Sequence, residues 1–273
     1  MSQPSLSTIT LNLEQGVAEV RLDRPDKSNA MNDAMWLEIR QAFTWVDATP
    51  EVRVAILSGA GRNFCAGIDL ALLADIQRRT AHPDGARSRE ALRRLILDMQ
   101  DCLTSVERCR KPVLAAIQGA CIGGAVDLVT CCDMRYAAAD AVFSVREIDV
   151  GLVADVGTLQ RLPRLIPEGI ARELAFTGRN FLADEAERTG LINRVFASPE
   201  ALTAAVRELA QAIAAKSPLA TRGIKEVMNY SRDHSVAEGL NFVAAWNASM
   251  LLSADLNEAI TAQREMRPPR FSD

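Results

Sequence analysis

Three carboxylates in this chain stand among small and apolar neighbours. Asp127 lies in GGAVDLVT, Glu147 in FSVREIDVG and Asp155 in GLVADVGTLQ. A carboxylate in such surroundings finds partners or has its pKa raised. Raised carboxylates near one another suit proton transfer, one accepting a proton while another gives one. Each acid alone also suits a helix cap or an internal ion pair. Asp133, in CCDMRY with Arg135 nearby, is assigned a structural role for that reason.

Two glycine turns follow two apolar runs. They are NFCAGIDL, containing Gly67, and GACIGGAVDL, containing Gly123 and Gly124. Turns between a strand and a helix leave backbone N–H groups without intrahelical partners. Two such donors aimed at one point can hold a developing negative oxygen, and the positive end of a helix adds to that. The candidate donors are Ile68 and Gly124. The alternative is that the glycines only permit tight packing.

Other chemistries lack their residues. G-x-S-x-G and G-x-x-x-x-G-K-[ST] are absent, and no G-x-G-x-x-G follows a strand. His82 falls in a break and His234 in a polar connector, so both read as solvated loop residues. The cysteines, Cys65, Cys102, Cys109, Cys121, Cys131 and Cys132, contain no C-x-x-C spacing. They read as buried reduced thiols rather than zinc ligands. What remains is acid–base chemistry on an activated carbonyl, without a metal or a cofactor of the protein's own.

The elements that must position these groups alternate in type. Residues 8–22 read as a hairpin around Gly16. Asn32 caps a helix carrying Met35, Ile39, Phe43 and Val46 at helical spacing. Residues 52–58 are a buried strand, with a helix from about Asp69. Residues 81–88 form a break with the potential to be a mobile loop, ahead of an amphipathic helix over 89–108. VLAAIQG is a further strand, and MRYAA and AVFSV are short ones. From about residue 200 the pattern is helical throughout. This predicts an α/β chain of stacked β-β-α turns rather than a regular β-α-β-α alternation.

The net charge of −4 argues against a general nucleic-acid or membrane-surface role. MSQPSLSTITLNLEQ has neither the basic nor the apolar region of a signal peptide, and RFSD is not a peroxisomal S-K-L ending. The location expected from these features is cytoplasmic.

From about residue 8 to its end the chain resembles the crotonase (enoyl-CoA hydratase/isomerase) superfamily. The stretches that carry the resemblance are LDRPDKSNAM, NFCAGIDL, KPVLAAIQGACIGGAVDLVTCCDMR and FSVREIDVGLVADVGTLQRLPR, in that order. The resemblance implies a spiral of β-β-α units over 1–200 with the acyl-CoA site. It implies a helical region over 201–273 that builds a homotrimer or homohexamer. It assigns the oxyanion donors to Ile68 and Gly124. It places the coenzyme A of the substrate against Arg24, Lys27 and the Ala30 backbone, with Ala66 and Leu70 at the adenine side.

Two departures bear on the reaction. Hydratases of the superfamily resemble a pattern with glutamate at the position of Asp127 and a small residue at that of Asp155. The set Asp127, Glu147 and Asp155 looks like that of Δ3,5,Δ2,4-dienoyl-CoA isomerases, which act in fatty-acid β-oxidation. For such a reaction Glu147 is assigned to C2 and Asp155 to C6, the reverse order staying open to the sequence, with Asp127 tuning both or ordering a water. The alternative within the superfamily is a 2-enoyl-CoA hydratase. RNA-binding or inactive assembly relatives form a different class, against which the acidic pI and the retained carboxylates argue.

Overall fold

Apolar–polar alternation on either side of Gln15 and Gly16, both at positive φ, closes a tight hairpin. Its strands are β1 (Ile9–Glu14) and β2 (Val17–Leu22), paired antiparallel from Ile9↔Leu22 to Glu14↔Val17. The computed structural model describes residues 2–272. The Asn32 side chain accepts from the Met35 N–H and starts α1 (Asp33–Ala48). β3 (Val54–Gly59) then lies parallel to β2.

Asp69 caps α2 (Leu70–Arg79), and Asp84 caps α3 (Gly85–Arg108) by accepting from the Ala86 N–H at 2.8 Å. Helix α3 therefore begins four residues before the expected Arg89. The expected break at 81–88 contracts to a few residues, because the Asp84 cap satisfies a helix-start donor there. His82 is exposed in this break, where its Nδ1 accepts from the Asp84 N–H.

The chain then runs through β4 (Val113–Ile117), β5 (Ala120–Ile122), α4 (Gly124–Thr130), β6 (Met134–Ala138) and β7 (Val142–Ser144). Next come α5 (Thr158–Leu165), α6 (Glu168–Thr177), β8 (Phe181–Leu182), α7 (Ala183–Thr189) and β9 (Arg194–Phe196). One six-stranded sheet has the order β1-β2-β3-β4-β6-β9, and all pairs after the hairpin are parallel. A second sheet has the order β5-β7-β8. Two of the β-β-α turns place one strand in each sheet before the helix: β4 in the large one and β5 in the small one before α4, then β6 and β7 likewise before α5.

The parallel strands are buried on both faces, which is why β3 and β4 read as continuous apolar runs. One face packs on α1 and α3, through Met35, Ile39, Phe43, Leu103 and Val106. The other is covered by α8 (Pro199–Ala214), whose Leu202, Val206 and Ala210 lie against Val54, Ile56 and Leu114. Helices α9 (Pro218–Arg232), α10 (Val236–Met250) and α11 (Ala254–Arg264) follow. Tyr230 of α9 stacks on Phe242 of α10 with 4.1 Å between ring centroids, and on His234 at 3.7 Å. Helix α10 leaves Leu240 exposed, as are Leu251 and Leu252 after it.

Asp133 is structural, but its partner is not the Arg135 expected from sequence proximity. Its carboxylate accepts from the Val113 N–H at 2.7 Å and pairs with Lys225 of α9 at 2.8 Å. The Arg135 guanidinium instead donates to the carbonyls of Cys132 and Leu191. Asp133 sits just before β6, where the Val113 N–H and Lys225 reach it, whereas Arg135 within β6 is met by the carbonyls of Cys132 and Leu191. All six cysteines are buried free thiols.

Candidate active site

The two glycine turns are built into one corner. Cys65 bridges Cys121 in parallel register. The Cys65 N–H donates to Ala120 O at 2.9 Å, and the Ile122 N–H donates to Cys65 O at 3.1 Å. Gly67, at φ +89°, passes so close to the next turn that a Cβ there would lie 2.5 Å from Ile122 O. No larger residue fits this crossing, and the positive φ adds strain for any L side chain.

The crossing brings the Ile68 and Gly124 nitrogens to the same small space. A Cβ on Gly67 would be 3.4 Å from Gly124 N, and one on Gly124 would be 3.8 Å from Ile68 N. Neither N–H has a backbone acceptor among the described residues. The Met31 side chain walls the space, with Cε 2.8 Å from the position of a Gly124 Cβ. Two unpaired donors bordering one small space have the geometry that holds a carbonyl oxygen as it becomes negative.

The three carboxylates converge on this corner from different elements. Asp127, in the first turn of α4, is fully buried. Its Oδ1 accepts from the Thr158 N–H at the start of α5 at 2.5 Å. Its Oδ2 is buried without a partner among the described residues. Glu147, in a 3-10 turn over 146–150, is half-buried. Its Oε1 lies 3.3 Å from the position of a Cβ on Gly123, beside the Gly124 donor, and its Oε2 is also buried without a partner. Asp155 is on the loop between that turn and α5, and is exposed in the isolated chain.

Burial pushes the Asp127 and Glu147 carboxyl groups above the ordinary range, and the partial loss of solvent around the Asp155 carboxyl raises it too, although the residue as a whole is exposed. At Asp127 the Thr158 N–H opposes this, while the charge of Asp155 adds to it. At Glu147 the charges of Asp127 and Asp155 both add to the rise. The three groups are thus within electrostatic reach of one another, and taking a proton on one favours losing it from another.

The expected coenzyme-side residues form a rim at the same corner. The Ala66 N–H donates to Ser28 O at 2.9 Å, the Met31 N–H to Gly67 O at 2.8 Å and the Asp69 N–H to Met31 O at 3.0 Å. These bonds set Arg24, Lys27 and Ala30 beside Ala66 and Leu70. Arg24 is largely committed within the protein. It pairs with Asp69 at 3.1 Å and donates to the Ala30 carbonyl. Lys27 and Leu70 are exposed.

Sequence reading missed Thr158, whose N–H restrains Asp127, and Met31, which walls the donor space. The signal for Thr158 was the glycine before it, since the first N–H of a new helix has no intrahelical acceptor. Gln100 of α3 was also missed. Its Nε2 donates to Asp155 O at 2.6 Å.

Comparison with known proteins bears on this site as a whole. Residues 12–273 match the enoyl-CoA hydratase/isomerase family. The chain is 47% identical over 272 residues to the peroxisomal Δ(3,5)-Δ(2,4)-dienoyl-CoA isomerase of Arabidopsis thaliana, covering 99% of this chain and 98% of that protein. It is 47% identical over 263 residues to the mitochondrial Δ(3,5)-Δ(2,4)-dienoyl-CoA isomerase of Homo sapiens, covering 95% of this chain and 80% of that protein. The fold superimposes on the crystal structure of an enoyl-CoA hydratase from Bacillus anthracis with a TM-score of 0.87 at 30% identity, over 97% of this chain and 99% of that one. The cytoplasmic location expected from the sequence is corrected by these relatives, which are named peroxisomal and mitochondrial. Compartment is decided by receptor-read sorting signals, not by the composition of the folded chain.

Proposed function

The chain belongs to the enoyl-CoA hydratase/isomerase family, and from that premise we infer that it is a Δ3,5-Δ2,4-dienoyl-CoA isomerase. The observation that carries the reading is the third carboxylate. The charge of Asp155 adds to the rise that burial causes at both Asp127 and Glu147. Adding water across one double bond requires two acid–base groups at most, whereas moving two double bonds separates the proton sites by four carbons.

The proposed steps balance as follows. Glu147, ionised, takes the C2 proton of a 3,5-dienoyl-CoA. The electron pair spreads from the thioester oxygen to C6, giving an extended enolate. The Ile68 and Gly124 N–H groups hold that oxygen. Removing one such donor costs about 3–4 kcal/mol of transition-state stabilisation. Asp155, protonated, gives its proton to C6, and the 2,4-dienoyl-CoA leaves. Glu147 is then protonated and Asp155 ionised. The exposure of Asp155 lets solvent return its proton, while Glu147 loses its own. Asp127 stays buried and raises Glu147, keeping it near the pH at which it can both take and release a proton.

Further parts of the reading rest on the family and on the surface of the chain. The coenzyme A carried by the substrate lies along Arg24, Lys27, Ala30, Ala66 and Leu70, and no other coenzyme is used. Residues 1–200 hold the site, and the helical region 201–273 joins subunits into a trimer or hexamer.

Two ultraviolet assays test the function. The protein should convert 3,5-dienoyl-CoA into the conjugated 2,4-dienoyl-CoA, which absorbs where the 3,5-isomer does not. A protein that hydrates 2-enoyl-CoA and leaves the dienoyl thioester unchanged would instead be the hydratase.

A further inference from the structure

The loop that carries Asp155 has almost no hydrogen bonds of its own. Among the described residues, 153–156 make one, from Gln100 Nε2 to Asp155 O at 2.6 Å. Gln100 belongs to a polar stripe on α3. Thr104 and Glu107 stand four and seven residues further along, on the same helical face. Both reach the other end of the segment. Arg161 of α5 donates through Nη2 to Thr104 Oγ1 at 3.3 Å and to Glu107 Oε2 at 2.8 Å. That ion pair is well shielded, with side chains 15% and 14% exposed. Between the two grips lies Thr158, whose N–H holds Asp127.

We propose that Gln100 is a positioning residue for Asp155, and that the Gln100–Thr104–Glu107 stripe is the strut that holds the isomerase loop over C6. The inference rests on the assignment of Asp155 to C6. The physical argument is one of order. A four-residue connection, 153–156, free of ladder hydrogen bonds, samples many conformations. One short hydrogen bond from a helix side chain removes much of that freedom at the residue whose carboxyl must meet C6. A displacement of about 1 Å at a reacting group costs roughly 100-fold in rate. Gln100 never touches substrate in this account and acts only through the Asp155 backbone.

The test uses Gln100→Met, which keeps length and removes the donor, and Gln100→Ala, which suits a helix and keeps α3 folded. Parent and variants are assayed for isomerisation of 3,5-dienoyl-CoA and for exchange of the C2 proton with deuterated solvent. In both variants isomerisation kcat should fall roughly 10- to 100-fold, with KM and C2 exchange near parent values. Isomerisation at the parent rate would overturn the proposal. A matched fall of isomerisation and exchange would overturn it too, because that is the result of general structural damage. A parent protein that cannot isomerise the dienoyl thioester is a different failure, since it removes the functional reading itself.

Discussion

Glu147 Oε1 lies against the backbone of Gly123, 3.3 Å from where a Cβ would stand, and Gly123 precedes the Gly124 donor. The base and half of the oxyanion pair therefore share one turn. Gly123 has φ +55°, and its N–H donates to Ser144 O at 2.8 Å.

Gly123→Ala should damage both functions of that turn. At φ +55° and ψ −125° the backbone is in a region that only glycine adopts readily, which costs an alanine about 1–3 kcal/mol, and the new methyl crowds Glu147. We expect lower thermal stability and a fall in kcat of at least about tenfold, as for a displaced base. Parent kcat in a folded Gly123→Ala protein would show that Glu147 does not depend on this turn.

Stability should depend on pH through the buried acids. Asp127 rises to about 6 and Glu147 to about 7, with burial as the main cause. Both folded-state values lie above the unfolded ones. Between about pH 4 and 7 the folded protein therefore binds more protons than the unfolded chain. Stability is highest relative to the unfolded chain on the acid side of this window and falls as pH rises through it. Glu147→Gln removes one of these titrations, so it should raise Tm more at pH 8 than at pH 5. Each 1 kcal/mol is worth roughly 2–4 °C in a chain of this size. Melts in which the gain is larger at pH 5 would contradict the assignment of Glu147 as a raised carboxyl.

What was legible in the sequence was mostly local. Asn32 and Asp69 cap helices where their residue types predict, and β3 and β4 read as doubly buried strands because they are. The acids and glycine turns stood out because their neighbours are small and apolar. The pairing of Asp133 was not legible, since Lys225 is 92 residues away. Nor was the hold of Gln100 on Asp155, across 55 residues. Both contacts come from how helices cross, which no short spacing encodes. The short helices α5 to α7 escaped notice because one or two turns show too little periodicity to read.

Lys27 is exposed on the rim beside Ala66. A charge that meets the coenzyme A phosphates in ground and transition states alike contributes uniform binding. Lys27→Ala should raise KM with little change in kcat. An unchanged KM, or a loss confined to kcat, would remove Lys27 from the binding rim.

Leu240, Leu251 and Leu252 stand 64%, 54% and 91% exposed on and after α10. Neighbouring apolar side chains of this size favour burial against another surface. Light scattering should give the mass of a trimer or hexamer of the 29.7 kDa chain. A monomer at micromolar concentration would contradict that assembly.

Asp155→Asn tests the central claim most directly, because it keeps shape and removes the proton. If Asp155 serves C6, isomerisation of 3,5-dienoyl-CoA should fall by at least about 100-fold. Exchange of the C2 proton with deuterated solvent should persist, since Glu147 and the Ile68 and Gly124 donors remain. Glu147→Gln, measured alongside, should lose both. Thermal melts of the two variants separate these effects from unfolding. Asp155→Asn isomerising the dienoyl thioester at the parent rate would contradict the account and leave the hydratase reading in its place.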